Sequence, residues 1–148
     1  MGRVTERPPV IFNSPIELGT RAALILASLE GKKLDIDNLV LLDYALLYSN
    51  EFGGPDSLHP LVPNHIAEIA QRRELLPDSL HYFLRKGLID KCYEENGQFF
   101  TANSHTLGFV SCLASNYYKK IWKRLSWLSE NYIQITNTPI IKLTCKGT

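Results

Sequence analysis

Apolar residues recur along this chain mostly with a helical period. Leu18, Ala22, Ile25, Leu26 and Leu29 fall on one stripe, the spacing of an amphipathic helix. Ser14, Pro15 and Glu17 mark its start: a serine cap, a proline at the first helical position, and a glutamate three residues after the serine to complete a capping box. Gly31, Lys32 and Lys33 end it. A second helix, over residues 37–48, is apolar almost all the way round, which predicts a central position or cover by a partner chain. Asp43 is the odd residue within it. It reads as a carboxylate near the surface or paired with an arginine such as Arg21, Arg72 or Arg73, since a catalytic acid needs a second chemical group close by and none is evident.

The pattern over residues 63–101 predicts a winged helix-turn-helix. Ile66, Ile69 and Ala70 share one face of a helix over 64–74, and a break follows at Leu75, Leu76 and Pro77. Asp78 or Ser79 caps a second helix carrying Leu80, Phe83 and Leu84 and closing at Gly87. Two strand-like runs, 88–93 and 98–101, then flank Asn96 and Gly97, a pair suited to a tight hairpin turn, and this hairpin is the wing. Residues 104–132 keep helical spacing through Leu107, Val110, Leu113, Tyr117, Ile121, Leu125, Leu128 and Tyr132, as one rod or as two pieces jointed at Ser115 and Asn116. The expected fold is mainly α with a small β-hairpin: one winged-helix-like domain over 1–148 with extra N- and C-terminal helices. Residues 1–12 are expected as an extended arm and 133–148 as an extended tail.

Residues 50–63 are long for a connection and rich in Gly and Pro, but Phe52, Leu58, Leu61 and Val62 argue for order. Trp122 and Trp127 fall on different sides of the last helix, so one ring can fill the core while the other meets a partner. Phe52, Leu58, His59, Tyr118, Trp122 and Trp127 are the candidate partner contacts.

Composition narrows the function classes. The chain has 148 residues, 45% hydrophobic and 21% charged, with a formal net charge of +1. That is a folded domain with one core, and it lacks the basic excess usual in a protein whose main partner is nucleic acid. Cys92, Cys112 and Cys145 have no metal-ligand or disulfide spacing, and His59, His65, His81 and His105 are scattered, so neither a metal nor a cofactor is expected. No apolar run approaches the ~20 residues of a membrane span, and a soluble cytoplasmic protein is the expectation. Phosphate-binding loops and nucleophile elbows are missing, so no catalytic residues are assigned and no enzyme activity is expected.

Nucleic-acid contact has two candidate sets. Arg85 and Lys86 lie on the second helix of the central motif, the element that enters the major groove in such modules. Across 64–90, however, Arg72, Arg73, Arg85 and Lys86 are balanced by Glu68, Glu74, Asp78 and Asp90, and the wing adds Glu94 and Glu95. Lys119, Lys120, Lys123 and Arg124 form the other set on the last helix, which reads equally as a solvated face.

The segments 12–21 (FNSPIELGTR), 41–49 (LLDYALLYS) and 53–60 (GGPDSLHP), with 72–75 (RREL), 86–89 (KGLI), 115–117 (SNY) and Trp127, carry a family resemblance. The chain resembles the small middle component of bacterial ABC-three-component systems, including those grouped with Lamassu-type anti-phage defence. The resemblance spans residues 12–132, and GGPDSLHP is its most specific part. It implies a non-catalytic accessory subunit beside an SMC-like or ABC-type ATPase and an effector such as a nuclease, with DNA reached through the complex. The competing reading is a winged-helix DNA-binding transcription regulator.

Overall fold

The computed structural model describes residues 14–60 and 64–139. Within them lie five α-helices and one two-stranded antiparallel sheet. The expected extended arm over 1–12 and most of the expected tail fall outside the described residues.

Helix α1 (Pro15–Ser28) begins where its cap predicts, with the Ser14 hydroxyl accepting from the Glu17 amide at 3.2 Å. Glu17 directs its carboxylate elsewhere, accepting the Tyr118 hydroxyl at 2.9 Å. Helix α2 (Ile36–Leu47) is capped by Asp35 and is buried from Leu39 to its end. Its all-round apolar surface is covered within the chain, because α1, α3 and α5 all pack on it.

Helix α3 (His65–Arg85) corrects the expected helix-turn-helix. It is one continuous helix with Pro77 inside it, and Ser79 does not cap a new helix but sits buried mid-helix, its hydroxyl 3.5 Å from the Leu75 carbonyl. A proline interrupts a helix by removing one amide donor and crowding the preceding turn. Here Pro77 and Arg73, the residue four before it, are both exposed, so the freed carbonyl can be hydrated. On the opposite side Ile69, Arg72, Leu76, Leu80 and Phe83 form an unbroken buried stripe across the proline. That stripe holds the helix together, and it was invisible as a stripe because one member is an arginine.

Gly19 lets α1 and α3 approach closely: a Cβ there would overlap the Phe83 ring. After α3, strands β1 (Asp90–Glu94) and β2 (Gly97–Thr101) form the expected hairpin, Glu94 opposite Gly97 across the Glu95–Asn96 turn. Leu34, between α1 and α2, adds an antiparallel bridge to Phe100 through backbone bonds of 3.0 and 2.8 Å. The last helical stretch divides at the expected joint into α4 (Ser104–Ser111) and α5 (Asn116–Thr136), the Ser115 hydroxyl capping the latter. Residues 133–136 are helical, which corrects the expected start of the extended tail. Ile135 is buried there, adding one more turn to the apolar stripe of α5.

Candidate functional site

The polar residues of α1, α2 and α3 meet in the core. Asp43 accepts from Arg21 Nε at 2.6 Å and Nη2 at 3.0 Å, and from Arg72 Nε at 2.8 Å. Arg72 also donates to Glu68 Oε1 at 2.8 Å and stands over the Tyr44 and Tyr48 rings. Arg21, Asp43 and Arg72 are 0, 3 and 1% exposed, so no substrate reaches their charged atoms. The two arginines and the two carboxylates cancel. Burial alone would raise the Asp43 carboxyl, but the flanking Arg21 and Arg72 outweigh it and hold Asp43 ionised. Burial likewise opposes the Arg21 charge, and Asp43 more than compensates, binding its proton harder than in a free arginine. Of the expected pairings for Asp43, two are realised together; Arg73 instead lies on the surface, 3.2 Å from Asp37.

A second polar layer surrounds this cluster. The Tyr117 hydroxyl of α5 accepts from Arg21 and lies 3.2 Å from His59 Nε2. Burial first, then the neighbouring Arg21 and Arg72 charges, push the His59 imidazole down to about 4, while burial pushes the Tyr117 hydroxyl up to about 12. Tyr44 donates to Glu51 Oε1 at 2.9 Å, meets His65 Nδ1, and is raised chiefly by burial. Every helix except α4 thus contributes to two polar groups, the Arg21–Asp43–Arg72–Glu68 cluster with Tyr117 on Arg21 and the Tyr44–Glu51–His65 set, which meet where Arg72 stands over the Tyr44 ring. Such an arrangement fixes the register of the helices. Arg72 was expected only as a partner of Asp43, and Glu68, Glu51 and His65 were not expected in such a set; the i, i+4 spacing of Glu68 and Arg72 was the available signal.

The Gly/Pro loop packs against α5 over its described residues, 50–60, while Leu61 and Val62 lie outside the described residues. Leu58 and His59 amides donate to the Leu47 carbonyl at 2.9 and 3.2 Å, and Ser49 Oγ donates to the Pro55 carbonyl at 2.9 Å. Arg124 reaches in from α5 to Ser49 Oγ at 2.5 Å and the Asp56 carbonyl at 2.7 Å. The Trp127 ring seats on Gly54 so closely that a Cβ would overlap it. The most specific string of the sequence is therefore a clasp between α2 and α5.

This placement separates the expected contact residues. Phe52, Leu58, Tyr118 and Trp127 pack partly buried against the core, and His59 stands edge-on to Tyr48. Trp122 is different, its side chain 53% exposed. Tyr118 and Trp122 share an open groove of about 480 Å³ between α4 and α5, with Leu107, Lys119 and Lys123. Of the basic residues, Arg85 and Lys86 are exposed at the end of α3 beside the Tyr82 ring, and Lys119, Lys120 and Lys123 are exposed on α5. Arg124 is turned inward to the loop. Among the described residues no group of three or more His, Cys, Asp or Glu side chains could hold a metal ion. No described helix is long and apolar enough to cross a membrane.

Comparison with curated proteins and with solved structures gave no match. A family model does match, over residues 11–147, described as ABC-three component (ABC-3C) system Middle Component 2. The match takes in both the clasp and the ion cluster, and it runs past residue 132, where the sequence resemblance ended. Covering nearly the whole chain, it shows that this protein belongs to the ABC-3C Middle Component 2 family, and so to a system of several components in which it is an accessory subunit.

Proposed function

We propose that this chain is a non-catalytic docking subunit that bridges the ATPase of its system to an effector such as a nuclease, in a cytoplasmic, SMC-associated anti-phage defence complex of the Lamassu type. One observation carries the reading. Arg21, Asp43, Arg72 and Glu68 are spent on each other in a self-neutralised cluster, whereas α4 and α5 present apolar and cationic side chains that nothing among the described residues covers. A buried brace and an open face are what a rigid adaptor requires. The order α1, Leu34, α2, α3, β1, β2 supports a winged-helix arrangement in which α3 takes the place of the second helix of the motif and the hairpin is the wing.

The second reading, a winged-helix transcription regulator, is favoured by Arg85 and Lys86 beside Tyr82 at the end of α3 and by Lys91 against the 70%-exposed Tyr93 on the hairpin. Co-purification of the tagged chain expressed with its neighbouring genes, with and without nuclease, separates the two. The docking reading expects nuclease-resistant recovery of an ATPase component. Recovery of DNA with no protein partner would overturn it.

A further inference from the structure

The groove between α4 and α5 combines two properties. Its walls are apolar, with Leu107 38% and Trp122 53% exposed over a floor that includes Leu24 of α1. Its rim is cationic: Lys119 and Lys123 stand one helical turn apart on α5, either side of Trp122, and no carboxylate is among the lining residues. Leucine-walled grooves beside a helix receive the apolar face of another helix, which inserts side chains at helical spacing. Uncompensated rim lysines select for carboxylates flanking that face, because opposite charges at a rim steer encounter and like charges reject it.

We infer that this groove is the seat of an acidic amphipathic helix belonging to another component of the system; the inference rests on the docking-subunit reading and names the chemistry of its partner. The segments of this sequence outside the described residues do not carry the matching charge. Residues 1–13 carry Arg3, Arg7 and Glu6, a formal sum of +1; residues 140–148 carry Lys142 and Lys146 and no acid, a sum of +2; residues 61–63 carry none. Nucleic acid would satisfy the lysines but offers no aliphatic side chains for the leucine wall. An anionic membrane surface would demand a protruding apolar edge, and this site is concave.

The test uses the full chain and two synthetic helical peptides of about four turns. They share one leucine face and differ only in carrying glutamate or lysine beside it. Titration followed by tryptophan fluorescence is expected to show the glutamate peptide binding at least ~10-fold more tightly at low salt, with the margin shrinking as salt rises. The double variant Lys119→Glu with Lys123→Glu should invert the order of the two peptides, Lys119→Ala with Lys123→Ala should abolish the preference, and Trp122→Ser should weaken both. Equal binding of the two peptides, or binding of neither, overturns the inference. So does lysine-dependent binding to vesicles containing phosphatidylserine, or concentration-dependent dimerisation lost in the alanine variant, which would make the occupant a membrane or a second copy. Co-purification tells this failure from failure of the broader reading. If the ATPase component is recovered equally with wild type and both double variants, the groove assignment falls and the docking subunit stands. If no component is recovered while the glutamate peptide still binds selectively, the docking reading falls.

Discussion

The centre of this protein and its α4–α5 face both carry arginine or lysine beside aromatic rings, yet they use them in opposite ways. In the centre, Arg72 stands over Tyr44 and Tyr48 with every charge answered by Asp43 or Glu68, and less than a twentieth of each ion in the triad is exposed. On the face, Lys119 and Lys123 flank Trp122 with no carboxylate in the groove. The first arrangement binds helices to each other, and the second is left for something outside. Residue type alone does not distinguish them; the presence or absence of a countercharge does.

Removing the countercharge from the centre should have the largest effect. Asp43→Asn keeps the shape of the side chain but leaves two buried guanidinium groups facing each other, an outcome that destabilises by about 3–5 kcal/mol. Urea denaturation should show it, and the surface pair makes the control: Arg73→Ala, which removes the contact with Asp37, should change stability by less than about 1 kcal/mol. Equal effects of the two variants would erase the contrast. Next in size is Gly19→Ala, which forces a Cβ into the Phe83 ring between α1 and α3. Overpacking of this kind should cost about 1–3 kcal/mol, read as a lower denaturation midpoint.

A pH series sharpens the comparison further. His59 is pushed down to about 4 in the folded chain, so below about 6.5, the ordinary imidazole value, the unfolded chain takes up a proton that the folded chain refuses. Stability should therefore fall as pH drops from about 6.5 toward 4, and His59→Gln should flatten that part of the profile. Asp43 acts lower. Its folded carboxyl is held below the usual range, so its contribution is present above about 3.9 and is lost as pH falls through its depressed value. Smallest of all should be the effect of Trp122→Ser on stability. A half-exposed ring on α5 should change it by no more than about 0.5 kcal/mol, although partner recovery should drop.

Much of the frame was legible because it is written in local signals. Ser14 and Pro15 start α1, Ser115 starts α5, the Asn96–Gly97 pair announces the hairpin although the turn itself falls one residue earlier, at Glu95 and Asn96, and the uninterrupted apolar run of α2 announces the centre. Asp43 was legible only as a carboxylate that needed either the surface or an arginine, because an unpaired buried one would be too costly; at 3% exposure it has the arginines and not the surface. The continuity of α3 was not legible: Pro77 is a strong local stop, and the stripe overriding it runs through Arg72, whose burial depends on Asp43 from another helix. The clasp was missed for the same reason. Gly54 is one more small residue of a Gly- and Pro-rich connection until Trp127, 73 residues on, is seen lying against it. Whether Tyr118 and Trp122 are contact residues, and whether Arg85 and Lys86 reach DNA, depends on surfaces of other molecules that this sequence does not encode.

Amide hydrogen exchange, compared between the free chain and the chain assembled with its neighbouring components, tests the central claim most directly. The account predicts that protection rises in residues 104–123 on assembly, while α1 and α2, already buried within the chain, change little. Protection that instead appears only at the end of α3 and on the hairpin, and only when duplex DNA is added, would contradict it.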